Sequence, residues 1–347
     1  MNAKRKSSIL IIYTGGTIGM KADPADQTLK PFDFSQILEE VPELSKFACK
    51  IDSYTFDPLI DSSDVEPAMW QSLACVIRDR YAHYDGFLVL HGTDTMSYSA
   101  SALSFMLDGL DKPVIFTGSQ LPIGVPRTDG KENLISAVEI ASALTPEGKA
   151  MVPEVCIFFG AKLLRGNRTT KVSAEQFDAF TSPNLPPLAE AGISIRYNDD
   201  AVRKPLDWYQ SLSVNTRLDT RVAVLKLHPG ITPEVMEYFL CSPAIRAVIL
   251  ESYGSGNAPT APWFLDTVRR AVGMDKIIVN VTQCLTGTVN MGIYANGKRL
   301  QDAGVVNGYD GTTESTLAKL FFLLGKSNDN EWVKDMLQRN LKGEISK

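Results

Sequence analysis

At 347 residues, 44% of them hydrophobic, the chain can bury a sizeable core and is longer than one core usually stays undivided, so two domains are expected. A net charge of -5 with both signs mixed along the chain argues against nucleic acid as a partner, because phosphate binding asks for a basic surface. No apolar run approaches the roughly 18 residues of a membrane-spanning helix, so a soluble protein without a membrane partner is expected.

Met1 to Lys6 reads as a solvated tail, since the apolar stretch behind it is too short and lacks the cleavage pattern of a signal peptide. Ser8 to Tyr13 is a continuous aliphatic run closed by Thr14-Gly15-Gly16-Thr17, the mark of a strand buried on both faces. In open α/β sheets, ligands sit outside the carboxyl ends of the strands, and Thr14 stands at that edge. Lys21 to Lys30 is polar without apolar period and reads as a mobile lid over Thr14. Phe34 to Leu44 is a short helix candidate, Ile51 to Leu59 a strand ending at Ile60-Asp61-Ser62-Ser63-Asp64, and Met69, Leu73, Val76 and Ile77 recur at helical spacing behind Pro67.

The next buried strand, Gly86 to Leu90, closes on His91-Gly92-Thr93-Asp94-Thr95 and is followed by a helix with Met96, Ala100, Leu103 and Leu107 on one face. Pro113 to Phe116 closes on Thr117-Gly118-Ser119-Gln120, Asn133 to Leu144 has helical period, and Val155 to Phe159 closes on Gly160-Ala161-Lys162. Apolar strands alternating with helices, each closing on a small Gly-containing loop, predict an α/β fold with a doubly wound, mostly parallel sheet. Periodicity fails between Arg196 and Thr220, and a second series follows: strands at Val222 to Leu227, Ala247 to Leu250 and Ile277 to Val281, helices at Pro233 to Leu240, Pro262 to Val272, Glu314 to Leu324 and Glu331 to Leu341. The expected organisation is an N-terminal domain over 1–195, a linker over 196–220 and a smaller α/β domain over 221–347.

The five cysteines, Cys49, Cys75, Cys156, Cys241 and Cys284, are odd in number and widely spaced, which fits reduced thiols in a cytoplasm. His83, His91 and His228 are the only histidines and form no metal-ligand spacing, so a structural or catalytic zinc site is not expected. Their scarcity and the absence of G-x-S-x-G weigh against a Ser-His-Asp hydrolase. The first turn lacks the lysine of G-x-x-x-x-G-K-[ST] and the spacing of G-x-G-x-x-G, which disfavours a phosphate site. By itself it reads equally as a structural turn. Thr93-Asp94 at the end of another strand adds a hydroxyl and a carboxylate to the same sheet edge. A threonine hydroxyl needs a base within hydrogen-bonding reach to act as a nucleophile. A lysine in suitable surroundings can serve, and Lys171 ends the run Arg168-Thr169-Thr170-Lys171; taken singly it reads as a solvated surface charge.

These segments, with Arg165-Gly166-Asn167, Phe177-Asp178-Ala179-Phe180, Ser182-Pro183-Asn184, Tyr253-Gly254-Ser255-Gly256-Asn257 and Thr282-Gln283-Cys284, occur in an order that resembles the bacterial type I, cytoplasmic L-asparaginases over nearly the whole chain. The resemblance implies a cytoplasmic, cofactor-free L-asparagine amidohydrolase that is a homodimer or homotetramer. It further implies that Thr14 is the nucleophile and that Lys171 accepts a proton through Thr93, with Asp94 beside it. Asp61, Ser62 and Ser63 match the segment that holds the substrate α-carboxylate, and Asp94 the partner of its α-amino group. Backbone groups around Thr93 and Ser119 match those for amide recognition and oxyanion stabilisation.

Three positions depart from the family. Ala25 to Leu29 lacks the lid tyrosine, Glu251 stands where some type I enzymes have an arginine before Ser-Tyr-Gly at a regulatory site, and Tyr294 stands near the place of a glutamate that periplasmic relatives contribute from a neighbouring subunit. Two rival readings follow: a glutaminase or broader amidohydrolase of the same family, and a catalytically silent asparagine-binding sensor.

Overall fold

The first apolar run forms strand β1, Ser7–Tyr13, whose side chains are buried along nearly its whole length. A computed structural model describes residues 6–22, 29–31, 40–205, 211–292 and 295–347. The chain divides into two units, Met1–Thr216 and Arg217–Lys347.

In the N-terminal unit follow β2 (Met20–Ala22), β3 (Leu29–Pro31), β4 (Cys49–Thr55), β5 (Gly86–Leu90), β6 (Leu107–Asp108), β7 (Val114–Thr117), β8 (Val155–Phe159), β9 (Lys162–Arg165), β10 (Thr170–Lys171), β11 (Phe180–Thr181), β12 (Ala189–Ala191), β13 (Ile195–Tyr197) and β14 (Ser213–Val214). Eight of them make one sheet in the order β13-β12-β9-β8-β7-β5-β1-β4. The strands from β4 through β1, β5 and β7 to β8 are parallel. Parallel neighbours need long crossovers, and helices α1 (Pro67–Arg80), α2 (Met96–Met106) and α3 (Gly130–Ser142) lie in those connections.

Alternation along β1 decides what each face buries. Ile9, Ile11 and Tyr13 share a core cluster with Leu134, Ala137, Val138 and Ala141 of α3. Leu10 and Ile12 point the other way and are equally buried, so both faces of the sheet are covered, as a strand without polar alternation requires. Register fixes the functional edge: Tyr13 lies beside Leu90, and Leu90 beside Thr117, so β1, β5 and β7 end level with one another.

The predicted mostly parallel, doubly wound architecture is present, with local differences. Val155–Phe159 does not close on an open loop at the functional edge: Gly160 and Ala161, both at positive φ, turn it into an antiparallel hairpin with β9. β12 and β13 extend this antiparallel side. The strand predicted over 51–59 stops at Thr55, before Asp57-Pro58, because proline has no N–H for a ladder. Of the helix predicted over 34–44, residues 34–39 lie outside the described residues, and Pro42–Lys46 is a 3₁₀ turn. Of the stretch 21–30 expected as a lid, β2 pairs antiparallel with β3, and residues 23–28 lie outside the described residues. Ile195–Tyr197 is a strand of the main sheet, and the division between Thr216 and Arg217 falls inside the stretch 196–220 expected as linker.

The second unit contains β15 (Val222–Lys226), β16 (Ala247–Ser252), β17 (Ile277–Thr282) and β18 (Val306–Asn307), with α4 (Pro233–Leu240), α5 (Pro262–Gly273), α6 (Ala295–Asp302), α7 (Thr313–Lys326) and α8 (Asn330–Leu337). Its four strands are parallel and lie in chain order. Met236 and Leu240 of α4 join Phe264, Val268 and Ala271 of α5 over Leu225, Val248, Leu250 and Ile278 of the sheet. β18 and α6 were not anticipated: two residues carry no strand period, and Ala295–Asp302 contains the glycine and asparagine that ordinarily signal a turn. Among the described residues, no helix is long and apolar enough to cross a membrane.

Candidate active site

The site is built where β1, β5 and β7 end. Thr14 continues β1 by one residue: its N–H donates to Leu90 O at 3.0 Å, and Ile60 N–H donates to Thr14 O at 2.9 Å. The Thr14 side chain is buried, and its Oγ1 donates to Leu90 O at 2.9 Å.

The turn that follows needs glycine. Gly16 has φ 95°, and a Cβ there would stand 2.5 Å from Gly92 N, so the Thr14 turn is pressed against the backbone that leads to Thr93. At Gly92 a Cβ would meet Ser62 Oγ at 2.5 Å, which brings the third loop into the same contact. Thr95 Oγ1 completes the junction by donating to Ser62 O at 2.6 Å. Gly16→Ala is therefore expected to lower unfolding free energy by more than the about 1–3 kcal/mol that such backbone geometry costs alone, because the methyl also clashes with the Gly92 backbone. Equilibrium denaturation against the wild type measures it.

Lys171 Nζ donates to Thr93 Oγ1 at 2.9 Å and to Asp94 Oδ1 at 2.7 Å. The lysine reaches this edge by a return path that spacing does not reveal. Arg165 ends β9 opposite Cys156, near the far end of β8, so the chain must run back along the sheet before it reaches Lys171. That segment is buried: Asn167, Arg168 and Thr169 are all 2% exposed or less. Thr169 Oγ1 donates to Arg165 O at 2.7 Å, and Arg168 Nη2 donates to Asn184 O at 3.2 Å. Lys171 then lies in β10, paired with Phe180 of β11, whose ring stacks edge-on against Phe159. The lysine is held by a rigid arm rather than a surface loop. Its side chain is 20% exposed against 63% for Asp94.

The remaining expected residues divide by what their side chains do. Ser62 is buried beside Gly92. Asp61 is turned to its own loop: its Oδ1 accepts from Ser63 N and Ser63 Oγ, both at 2.8 Å, capping a 3₁₀ turn over Ser62–Asp64. These hydrogen bonds hold the Asp61 carboxyl below its usual pKa. Ser119 is buried, and its Oγ donates to Leu121 O at 2.5 Å. Thus Lys171, Thr93 and Asp94 make direct contact, the Thr14 and Ser62 loops join them through backbone, and Asp61, Ser63 and Ser119 hydrogen-bond within their own turns.

Two supporting residues escaped the sequence reading. Asp129 accepts from Gln120 N and Leu121 N at 3.0–3.1 Å, and Asn133 Nδ2 donates to Gly118 O at 3.0 Å, so the start of α3 fixes the Ser119 loop. The available signal was Asp129-Gly130 ahead of a helical apolar period, a helix-start pattern. Among the described residues, no group of three or more His, Cys, Asp or Glu is arranged to hold a metal ion.

Residues 8–203 match the family described as "Asparaginase, N-terminal", and residues 221–337 match the "Glutaminase/Asparaginase C-terminal domain". The chain belongs to the asparaginase family. It is 44% identical to L-asparaginase 1 of Escherichia coli K12 over 345 residues, covering 99% of each chain. The crystal structure of L-asparaginase I from Vibrio cholerae superposes with a TM-score of 0.89 at 43% identity, covering 99% of this chain and 100% of that one. The chain is also 42% identical over 363 residues to the mouse 60 kDa lysophospholipase, covering 97% of this chain and 62% of that protein.

Of the three departures from the asparaginase pattern, one, Glu251, lies within the described residues. Glu251 is held by Thr313 Oγ1, which donates to its Oε1 at 2.6 Å, and Thr282 Oγ1 donates to Gly254 O at 2.6 Å. Ala25 to Thr28, where the lid tyrosine is missing, and Tyr294 lie outside the described residues; Leu29 begins β3.

Proposed function

We propose that this asparaginase hydrolyses L-asparagine to L-aspartate and ammonia through a threonine nucleophile. Thr14 Oγ1 forms a bond to the side-chain amide carbon, and the C–N bond breaks as the leaving nitrogen takes up the proton that the Thr14 hydroxyl gives up and departs as ammonia. The product is an acyl-threonine ester. Water, oriented by Thr93, then adds to the ester carbon while its proton passes through Thr93 to the Nζ lone pair of Lys171; the ester C–O bond breaks as Thr14 Oγ1 takes a proton back along the same path, releasing aspartate and restoring the hydroxyl and the lysine. The backbone of the Ser62 loop binds the α-carboxylate, and Asp94 pairs with the α-amino group. N–H groups at Thr93 and the Ser119 loop stabilise the oxyanion.

The observation that carries this reading is the hydrogen-bonded cluster of Lys171, Thr93 and Asp94 at the strand edge that Thr14 terminates. A lysine that keeps a donor bond to a carboxylate while its lone pair accepts from a hydroxyl can take up a proton, so in the reacting state the Thr93–Lys171 bond runs with Oγ1–H as donor; nothing in that cluster calls for a cofactor. Exhaustive chelation followed by added divalent metals is accordingly expected to leave ammonia release unchanged. Loss on chelation with recovery by one metal overturns that expectation.

All five cysteines are free thiols, which supports a reducing, cytoplasmic setting. Homodimeric or homotetrameric assembly is part of the same reading, and light scattering of the purified protein tests it. The deciding experiment is ammonia release from asparagine and from glutamine by purified protein. Release from asparagine is expected. Faster release from glutamine favours the broader amidohydrolase, and binding without release favours the sensor.

A further inference from the structure

His91 follows the last residue of β5, two positions before Thr93, yet the reaction above does not use it. It is 1% exposed, and burial pushes its pKa down to about 4, so the ring is neutral at physiological pH. Its two nitrogens are both engaged. Nδ1 is 2.6 Å from Gly92 O, and a carbonyl only accepts, so Nδ1 carries the proton. Nε2, 2.9 Å from Ser99 Oγ, is then the acceptor of the serine hydroxyl. Ser99 Oγ in turn accepts from Trp70 Nε1 at 2.8 Å. The three hydrogen bonds are consistent with one tautomer only, and they run from α1 through α2 to the strand end. Phe116 packs edge-on against the imidazole at 5.8 Å and restricts its tilt.

The carbonyl held at the end of this chain belongs to the peptide unit that carries the Thr93 N–H. A trans peptide is planar, with C=O and N–H pointing in opposite directions. Fixing the Gly92 carbonyl on one side therefore aims the Thr93 N–H on the other and sets the origin of the Thr93 side chain. We propose that His91 is a positioning residue: through its Nδ1–H bond to Gly92 O it orients the Gly92–Thr93 peptide so that the Thr93 N–H faces the developing oxyanion and Oγ1 faces Lys171. Ser99 and Trp70 hold the imidazole in the tautomer this requires. The inference rests on the proposed reaction for its kinetic consequence, while the tautomer and peptide orientation can be read without turnover.

Two measurements test it. In protein labelled with ¹⁵N-histidine, the buried ring is expected to show a protonated Nδ1 and an unprotonated, accepting Nε2, unchanged between pH 6 and 8. A protonated Nε2 with bare Nδ1 overturns the proposal whether or not the protein turns over asparagine. Kinetically, His91→Leu removes the donor, whereas His91→Asn supplies an amide N–H close to the position of Nδ1. A misaligned site costs up to about 10²-fold, so His91→Leu is expected to lower kcat about 10- to 100-fold with KM within about threefold, and His91→Asn to recover most of the loss. Ser99→Ala, which leaves His91 in place but frees its ring, is expected to lower kcat to an intermediate value and serves where His91→Leu fails to fold. Folded His91→Leu or Ser99→Ala protein with wild-type kcat, or His91→Asn no better than His91→Leu, overturns the positioning role while leaving the proposed hydrolysis intact.

Discussion

Thr14→Ala is expected to reduce asparagine turnover by about 10⁴–10⁶-fold, the scale on which loss of a covalent nucleophile is felt in a hydrolase. Folding should survive the change. The carbonyl that accepts the Thr14 hydroxyl, Leu90 O, also accepts the Thr14 N–H at 3.0 Å, so it keeps a partner when the hydroxyl is gone. Loss of one buried methyl from the strand end costs about 1 kcal/mol. Asparagine binding should also survive, because the groups assigned to its α-carboxylate and α-amino group lie on the Ser62 loop and Asp94. The measurement is single-turnover ammonia release beside equilibrium binding of asparagine. Thr14→Ser, which keeps a hydroxyl at Oγ1, should retain far more activity than the alanine variant. Turnover by Thr14→Ala within about tenfold of wild type would remove Thr14 from the bond-making role, and wild-type release no faster than Thr14→Ala with asparagine still bound would favour the sensor.

What the sequence disclosed and what it hid follow from the range over which each feature is encoded. The ends of β1 and β5 were legible because a fully apolar run stopped by glycine and threonine is a local signal, and the same signal located Thr14 and Thr93. Lys171 was legible only as part of a motif. Its approach depends on a hairpin at Gly160-Ala161 that reverses the chain and a buried return through Asn167 and Arg168, and neither leaves a periodic pattern. Asp61 shows the opposite difficulty. An acidic residue in a substrate-binding motif invites a direct role, but its carboxylate caps the turn that presents Ser62. In the sequence His91 counts only as one of three scattered histidines. Its partners Ser99 and Trp70 are respectively eight positions downstream and 21 upstream in sequence, adjacent only once α1 has packed on α2.

The lysine carries the second large effect. Lys171→Met is expected to lower turnover about 10²–10⁴-fold, the usual worth of general acid-base assistance. It should do so with little loss of stability, because Asp94 is 63% exposed and hydrates readily once its partner is removed. Two explanations of such a loss must be separated. If Lys171 acts only as a positive charge beside Thr93, Lys171→Arg keeps the charge and should rescue. If it accepts a proton, arginine cannot substitute, since a guanidinium does not give up its proton in a protein and has no lone pair to offer. The proposed proton path therefore expects Lys171→Arg to stay near the level of Lys171→Met. Because the path runs through Thr93, whose Oγ1 is 2.9 Å from Nζ, Thr93→Ala should lower turnover comparably. The double variant should fall little below either single one, as groups acting in one unit are not additive. Near-wild-type turnover by Lys171→Met would show that the proton leaves by another route, and full rescue by arginine would reduce the lysine to an electrostatic partner.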